Sequence, residues 1–314
     1  MSEVEAQSPL APVVTNAPTE IADGVYVIPD GRVPLVPNIG IVLGSRAALV
    51  VDSGMGPRNG AVVRRHADEL ATGRPLFLTI THFHPEHGYG AQAFDPGATI
   101  VYNRGQLDEL RQKGVPYLEM FKTFGDAVAE QLEGVSLVEP HVVYDGAADL
   151  DLGGRTAELR TWGLAHTQAD QIVFLREQRI LFTGDLVESR CFAIFPWFPP
   201  DDTDVDGDRW IAVLEELERL DPAIVVPGHG ETGDAGVIAA AREYIELLRA
   251  ETRRLADSGA SEDETAEALD RSMRDLHPDW DQPEWIAFGA RCFYTAHARE
   301  RGQDRRQLSN ESRT

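Results

Sequence analysis

The chain has 314 residues and carries Lys+Arg 29 against Asp+Glu 52, a net charge of −23. With 42% hydrophobic and 26% charged residues it has the make-up of an ordinary globular protein, able to build one large α/β domain or two small ones without disulfides. So negative a chain repels polyanions, which excludes nucleic acid and anionic membranes as default partners, and no window approaches the roughly 18 apolar residues of a membrane span.

Residues 1–20 are rich in Pro, Ala, Ser and Glu and are expected to form a disordered arm, without the basic and apolar regions of a secretory signal. Short β-like runs follow at 24–29, 39–44 and 47–54, with Asp30-Gly31 suggesting a hairpin turn. Helical periodicity covers 58–72, and LFLTITH at 76–82 reads as a buried strand. A short helix near 88–93, a strand at 98–103 and helices at 104–113 and 117–133 come next. Strands are expected at 136–144, 157–162, 171–176 and 179–183, the last two joined as a hairpin through REQR. An amphipathic helix at 208–220 leads to a strand at 222–230. Beyond 234 the pattern is helical: 234–257, a segment to about 275 opened by Ser261 and Glu264 in capping-box spacing, and about 282–298, with a frayed last dozen residues.

The predicted fold class is α+β, a four-layer αββα sandwich over residues 21–233, with residues 234–314 as a helical extension packed on the same domain. Cys191 and Cys292 sit among apolar residues and are expected as buried thiols in a reducing, cytoplasmic setting.

The chemistry concentrates in Thr81-His82-Phe83-His84-Pro85-Glu86-His87, directly after a strand. In a loop, alternate residues point the same way, so His82 and His84 can converge on one cation while Glu86 and His87 turn towards a neighbouring one. Packed this tightly, such groups would be costly to bury without a metal. Three further segments, Ala165-His166-Thr167, Phe182-Thr183-Gly184-Asp185-Leu186 and Pro227-Gly228-His229-Gly230, each place a His or Asp at the end of an expected strand. His66, His141 and His297 stand apart and are read as incidental.

In this order the motifs THFHPEH, LAHT, FTGD and VPGHG resemble those of the metallo-β-lactamase-fold metallohydrolases, over residues about 20–232. VVDSG at 50–54 matches that family's strand and turn, with Asp52 in a supporting role. The resemblance implies that His82, His84 and His166 hold one metal, that Glu86, His87 and His229 hold a second, and that Asp185 bridges them. The family usually has Asp where Glu86 stands. The longer side chain leaves three outcomes open: a normal but wider second site, a weak one, or none. Two zinc ions per chain are the expected cofactors; the donors also accept iron or manganese.

A zinc-activated hydroxide attacking a small, fairly apolar substrate is the expected chemistry, most simply on a cyclic ester or amide, as in a lactonase or β-lactamase-like enzyme. Alternatives are a thioesterase resembling glyoxalase II, a single-iron oxygenase, and a non-catalytic metal-binding protein. Glu86 or Asp185 can carry the proton after attack. Tyr89 and Tyr102 are candidate oxyanion donors or packing residues. The segment CFAIFPWFPP at 191–200 offers Phe192, Phe195, Trp197 and Phe198 either to a pocket wall, with Tyr117, Phe121 and Phe124, or to an internal plug or homodimer contact. His277, Trp280 and Trp285 can close the same cavity.

Overall fold

A computed structural model describes residues 11–311. Two sheets form the centre. The first runs in spatial order through β1 (Thr19–Ala22), β2 (Val25–Ile28), β3 (Ile39–Leu43), β4 (Ala48–Val51), β5 (Leu76–Thr79), β6 (Ala98–Asn103) and β7 (Val142–Tyr144). The second has the order β12 (Ile224–His229), β11 (Ile180–Glu188), β10 (Asp170–Leu175), β9 (Thr156–Gly163) and β8 (Ala147–Asp151).

Side chains alternate across each strand, and here both faces are apolar. Val25, Val27, Leu49 and Val51 meet Val173, Leu175 and Phe182 between the sheets. Their neighbours Ile28, Ala48 and Val50 face outward, onto α1 (Gly56–Ala71) and α3 (Arg104–Lys122). On the far side Ile172, Phe174 and Leu181 face α5 (Gly207–Arg219), α6 (Gly236–Asp257), α7 (Glu262–Leu276) and α8 (Trp285–Glu311). Helix, sheet, sheet, helix is the expected αββα order, with the last three helices sharing a core with β11 and α5.

Several local expectations change. Residues 1–10 of the expected arm lie outside the described residues, but the next few are tethered: Pro12 and Val14 are buried, and the Val14 N–H donates to Asn59 Oδ1 at 2.8 Å. Asn59 returns a bond to Pro12 O at 2.8 Å, so polar composition hid a tethered segment. Asp30-Gly31 belongs to a long connection, since β2 and β3 pair from Ile28 opposite Ile39. The expected helices at 104–113 and 117–133 become one helix through Pro116 to Lys122, followed by α4 (Asp126–Gln131). The expected helix near 88–93 is α2 (Pro85–Gly88) followed by a 3-10 turn at Ala91–Phe94. Only the end of 136–144 is a strand, while β8 alternates Ala and Leu with Asp at an edge and escaped notice. The α8 backbone continues well past 298. The capping box at Ser261 and Glu264 forms as read.

Candidate metal centre and cavity

The five segments that carry the expected ligands converge at one rim of the sandwich. The loop after β5 delivers His82 and His84, and α2 begins at Pro85, so Glu86 and His87 lie on its first turn. His166 sits in the β9–β10 connection, Asp185 within β11, and His229 at the end of β12. Strands β11 and β12 are parallel neighbours, which brings their residues side by side. Glycine makes that approach feasible: a Cβ on Gly228 would lie 1.9 Å from Asp185 Oδ1. Gly184 has φ 53° and faces Thr81 at 2.4 Å by the same measure, so it meets both limits at once.

Two adjoining nests result. His82, His84 and His166 form one, and Glu86, His87, Asp185 and His229 the other, with the donor atoms of each nest within 4.8 Å of one another. His84 Nδ1 is 3.0 Å from His82 Nε2 and 3.3 Å from His166 Nε2. Corners of a tetrahedron with metal–nitrogen bonds of about 2.0–2.1 Å lie about 3.3–3.4 Å apart, so this spacing is that of three nitrogens around one ion. Asp185 turns Oδ1 to the second nest, 3.2 Å from His87 Nε2 and 3.7 Å from His229 Nε2. Its Oδ2 turns to the first, 3.8 Å from His82 Nε2 and 3.9 Å from His166 Nε2.

Except for His84 Nε2, the nitrogens turned away from the nests are held. His166 Nδ1 is 2.8 Å from Ile194 O, His229 Nδ1 is 3.0 Å from Val36 O, and His82 Nδ1 is 3.1 Å from Thr81 Oγ1. Asp52 clamps the centre from behind, accepting from Thr81 N at 2.7 Å and meeting His87 Nδ1 at 2.9 Å. Such outer partners fix ring orientation and leave the other nitrogen free as a ligand.

Fit to a cation can be tested on the polar atoms left over. His84 Nε2, Glu86 Oε2, His87 Nε2, both oxygens of Asp185 and His229 Nε2 are buried without hydrogen-bond partners. An unpartnered buried polar group costs about 1–3 kcal/mol, so such a concentration has no structural justification in a dry core. Burial holds His82 and His84 well below the usual imidazole range, and it lowers His166 to about 4 against the pull of Asp185. Neutral imidazole is the form that coordinates. Burial opposes charge on His87 and Asp185 too, but His87 lies between the Asp185 and Asp52 carboxylates and is raised, while the flanking histidines keep Asp185 ionised. Burial first, then Asp185, raises Glu86 to about 7 against the pull of His87. The donor set fits divalent cations, and Glu86 is long enough to reach its nest.

Beside the nests lies a cavity of about 610 Å³. His84, Glu86 and His229 reach its inner end. Tyr117 and Phe121 from α3, Phe124 from the turn after it and Val128 from α4 form one wall. Trp285 and Phe288 of α8 form the other, bridged by Ile194, Pro196 and Phe198. Leu35 and Pro34, for which no motif gave a signal, close a third side; Phe288, one turn beyond Trp285, was legible as its partner but passed over.

Tyr117, Phe121, Phe124, Phe198 and Trp285 thus line the cavity. Phe192, Phe195 and Trp197 do not: they are buried in the core behind it, Phe195 at 5.0 Å from the Trp210 ring and 5.6 Å from Phe293. Along this segment Ile194, Pro196 and Phe198 face the cavity, while Phe195 and Trp197 face the core, with Trp197 N donating to Phe195 O at 2.7 Å across Pro196. His277 and Trp280 stack at 4.1 Å and pack around Phe192 and Tyr244, away from the cavity. Tyr89 and Tyr102 also belong to packing: Tyr89 Oη donates to Gly114 O at 2.7 Å, and both are buried among the residues under α1 and α3. His66, His141 and His297 lie elsewhere, against Glu69, Asp95 and Asp257. Both cysteines are buried free thiols.

An αββα sandwich with two ligand nests at one rim defines a metallohydrolase type of centre. The sequence model of the metallo-β-lactamase superfamily matches residues 32–229, and the chain belongs to that superfamily. Among characterised proteins it is similar to the acyl-coenzyme A thioesterase MBLAC2 of Homo sapiens, 25% identical over 224 residues that cover 66% of this chain and 78% of that protein. The MBLAC2 of Gallus gallus is 27% identical over 206 residues, 61% of this chain and 72% of the relative. A metallo-β-lactamase from Pontibacter korlensis shares the fold with a TM-score of 0.57 at 18% identity, over 74% of this chain and 99% of its own. The sec-alkylsulfatase Pisa1 from Pseudomonas sp. reaches 0.69 at 14% identity, over 90% of this chain and 50% of its own. No helix among the described residues is long and apolar enough to cross a membrane.

Proposed function

We propose that this protein is a zinc-dependent hydrolase of acyl compounds with an apolar acyl group, thioesters foremost. The observation that carries the reading is the cavity: its volume lies in the usual range of about 300–1,000 Å³ for small-molecule sites, its walls are aromatic and aliphatic, and it ends on three of the expected ligands. An open acyl chain fills an elongated apolar wall better than a compact ring does. The thioesterase name of the MBLAC2 relatives supports the same order, so thioesters stand ahead of the cyclic esters and amides. A cyclic ester with an apolar tail uses the same wall and is the second reading.

Divalent cations bound in the two nests supply Lewis-acid polarisation of the acyl carbonyl and an acidified water. The protein's part is orientation. His84, Glu86 and His229 mark the corner where the reacting carbonyl lies, and the walls hold the chain that leads to it. The Tyr117 ring stacks on His84 at 5.1 Å, and its Oη donates to Asp202 Oδ2 at 2.6 Å, so the side wall also steadies a ligand.

Each buried methylene contributes about 0.8 kcal/mol, so kcat/KM on straight-chain thioesters should climb by up to about fourfold per methylene until the cavity is filled. Rates on a butanoyl-to-dodecanoyl series, with and without chelator, test this. Turnover that is flat with chain length, or indifferent to metal removal, would sink the reading.

A further inference from the structure

The mouth of the cavity has a charge pattern that the acyl-chain wall does not require. Phe124, 44% exposed, opens to solvent between two exposed carboxylates, Asp126 and Glu284. No lysine or arginine is among the described residues that line the cavity, and neither carboxylate makes an ion pair among them.

Among the described residues, the cations of the adjoining depression and of α3 beside the wall are already engaged. Arg32 borders an adjoining depression that shares Pro34, Gln282 and Glu284 with the cavity. It is held by Glu231 at 2.6 Å and Asp281 at 2.7 Å, and it donates to Arg190 O at 3.1 Å. Lys122 pairs with Glu119 at 2.8 Å. Lys113 is shared among Glu109, Asp202 and Asp204 at 3.2, 3.0 and 2.8 Å. Helix starts at the mouth would favour an anion by their dipoles, yet α4 carries Asp126 in its first turn and Glu284 immediately precedes α8.

We infer that the leaving group of the substrate is uncharged or cationic, and that polyanionic coenzyme A is a poor carrier of the acyl group for this chain. The inference rests on the acyl-hydrolase reading and narrows it. A phosphorylated leaving group would lie beside carboxylates, with no cation among the described residues that line the cavity and a net charge of −23 behind it. An ammonium group there meets Asp126 and Glu284 with the faces of Phe124, Trp285 and Phe288 close by, the surroundings in which aromatic rings attract cations. In the reaction the acyl carbon–sulfur or carbon–oxygen bond breaks, the oxygen of water bonds to that carbon, and the products are a carboxylate, a thiol or alcohol that takes one proton of the water, and one released proton.

The test keeps the decanoyl group and varies what leaves: coenzyme A, N-acetylcysteamine or thiocholine. At low salt kcat/KM for the coenzyme A thioester should fall at least about tenfold below that of the N-acetylcysteamine thioester, with the thiocholine ester highest. Added salt should narrow the spread. The double variant Asp126→Lys, Glu284→Lys should raise the ratio of coenzyme A to thiocholine turnover about tenfold. Equal turnover of the coenzyme A and neutral thioesters, or a ratio unmoved by salt and by the double variant, overturns the inference and leaves the acyl-hydrolase reading intact. Binding of tetradecyltrimethylammonium and tetradecyl phosphate, followed by tryptophan emission, separates the two claims without turnover. Tighter binding of the ammonium compound supports the charge selection even if no thioester is cleaved; equal binding overturns it.

Discussion

The ligand rim and the cavity walls lie side by side but are built in opposite ways. Rim residues come from two loops, the first turn of α2 and strands β11 and β12, are almost wholly buried, and, His84 apart, have their outward nitrogens tied to Ile194 O, Val36 O, Thr81 and Asp52. Wall residues come from α3, α4, α8 and the connections between elements, run from buried (Tyr117, Phe121) to exposed (Phe124), and meet through ring contacts such as Phe198 with Phe288 at 5.6 Å and Trp285 with Phe288 at 5.2 Å. One wall, on α8, lies beyond the stretch matched by the superfamily. The candidate ligands are thus held by a hydrogen-bonded frame inside the matched stretch, and the cavity is completed in part by a helix outside it.

The sharpest way to break this division is at the rim. Asp185→Asn keeps the shape beside Gly228 but removes the charge shared by both nests. Metal content by elemental analysis should drop below that of the wild type, and turnover should fall more than about 100-fold. Full metal content with normal turnover would mean that Asp185 is structural.

Two neighbours in the aromatic segment sharpen the contrast. Phe195→Ala empties a core position and should cost about 3–5 kcal/mol in urea unfolding. Phe198→Ala opens a wall position and should cost little stability, while lowering kcat/KM roughly tenfold for decanoyl substrates and far less for acetyl ones. Identical behaviour of the two variants would show that wall and core are one unit.

The smallest effect concerns the support beneath the α3 wall, where the Lys113 ammonium serves three carboxylates. Burial raises Glu109 from 4.5 to about 7, against the pull of Lys113, which also has Asp202 and Asp204. A carboxyl raised on folding contributes stability that is fully present below its unfolded value and is lost as pH rises through about 7. Relative to Glu109→Gln, the wild type should therefore lose up to about 3 kcal/mol between about pH 5 and pH 8, read from unfolding curves at the two values. A constant difference across that window would place Glu109 outside the titrating network.

Much of the rim was legible because each ligand sits at the end of an apolar run, and strand ends on one side of a sheet must meet. The roles of His82, His84 and His166 against Glu86, His87 and His229 came from the family resemblance, and the structure groups them the same way. The walls were legible only as a list of aromatics. Phe121 and Trp285 were placed correctly, but Phe192, Phe195 and Trp197 were indistinguishable from Phe198 because a segment buried on both sides has no polar alternation to mark its faces. Tyr89 and Tyr102 misled for a similar reason: nearness to the motif in sequence says nothing about which side of the strand or helix a ring takes.

By itself, then, the sequence determined the alternation of strands and helices, the donor set and the net charge, all properties of residue type and local order. Only the tertiary structure decided that Glu86 reaches its nest, that Pro34, Leu35 and α8 complete a cavity, and that Asp126 and Glu284 stand unpaired at its mouth. Those facts depend on segments far apart in the chain lying within a few ångströms of one another, and that proximity is set by how the two sheets and their helices pack.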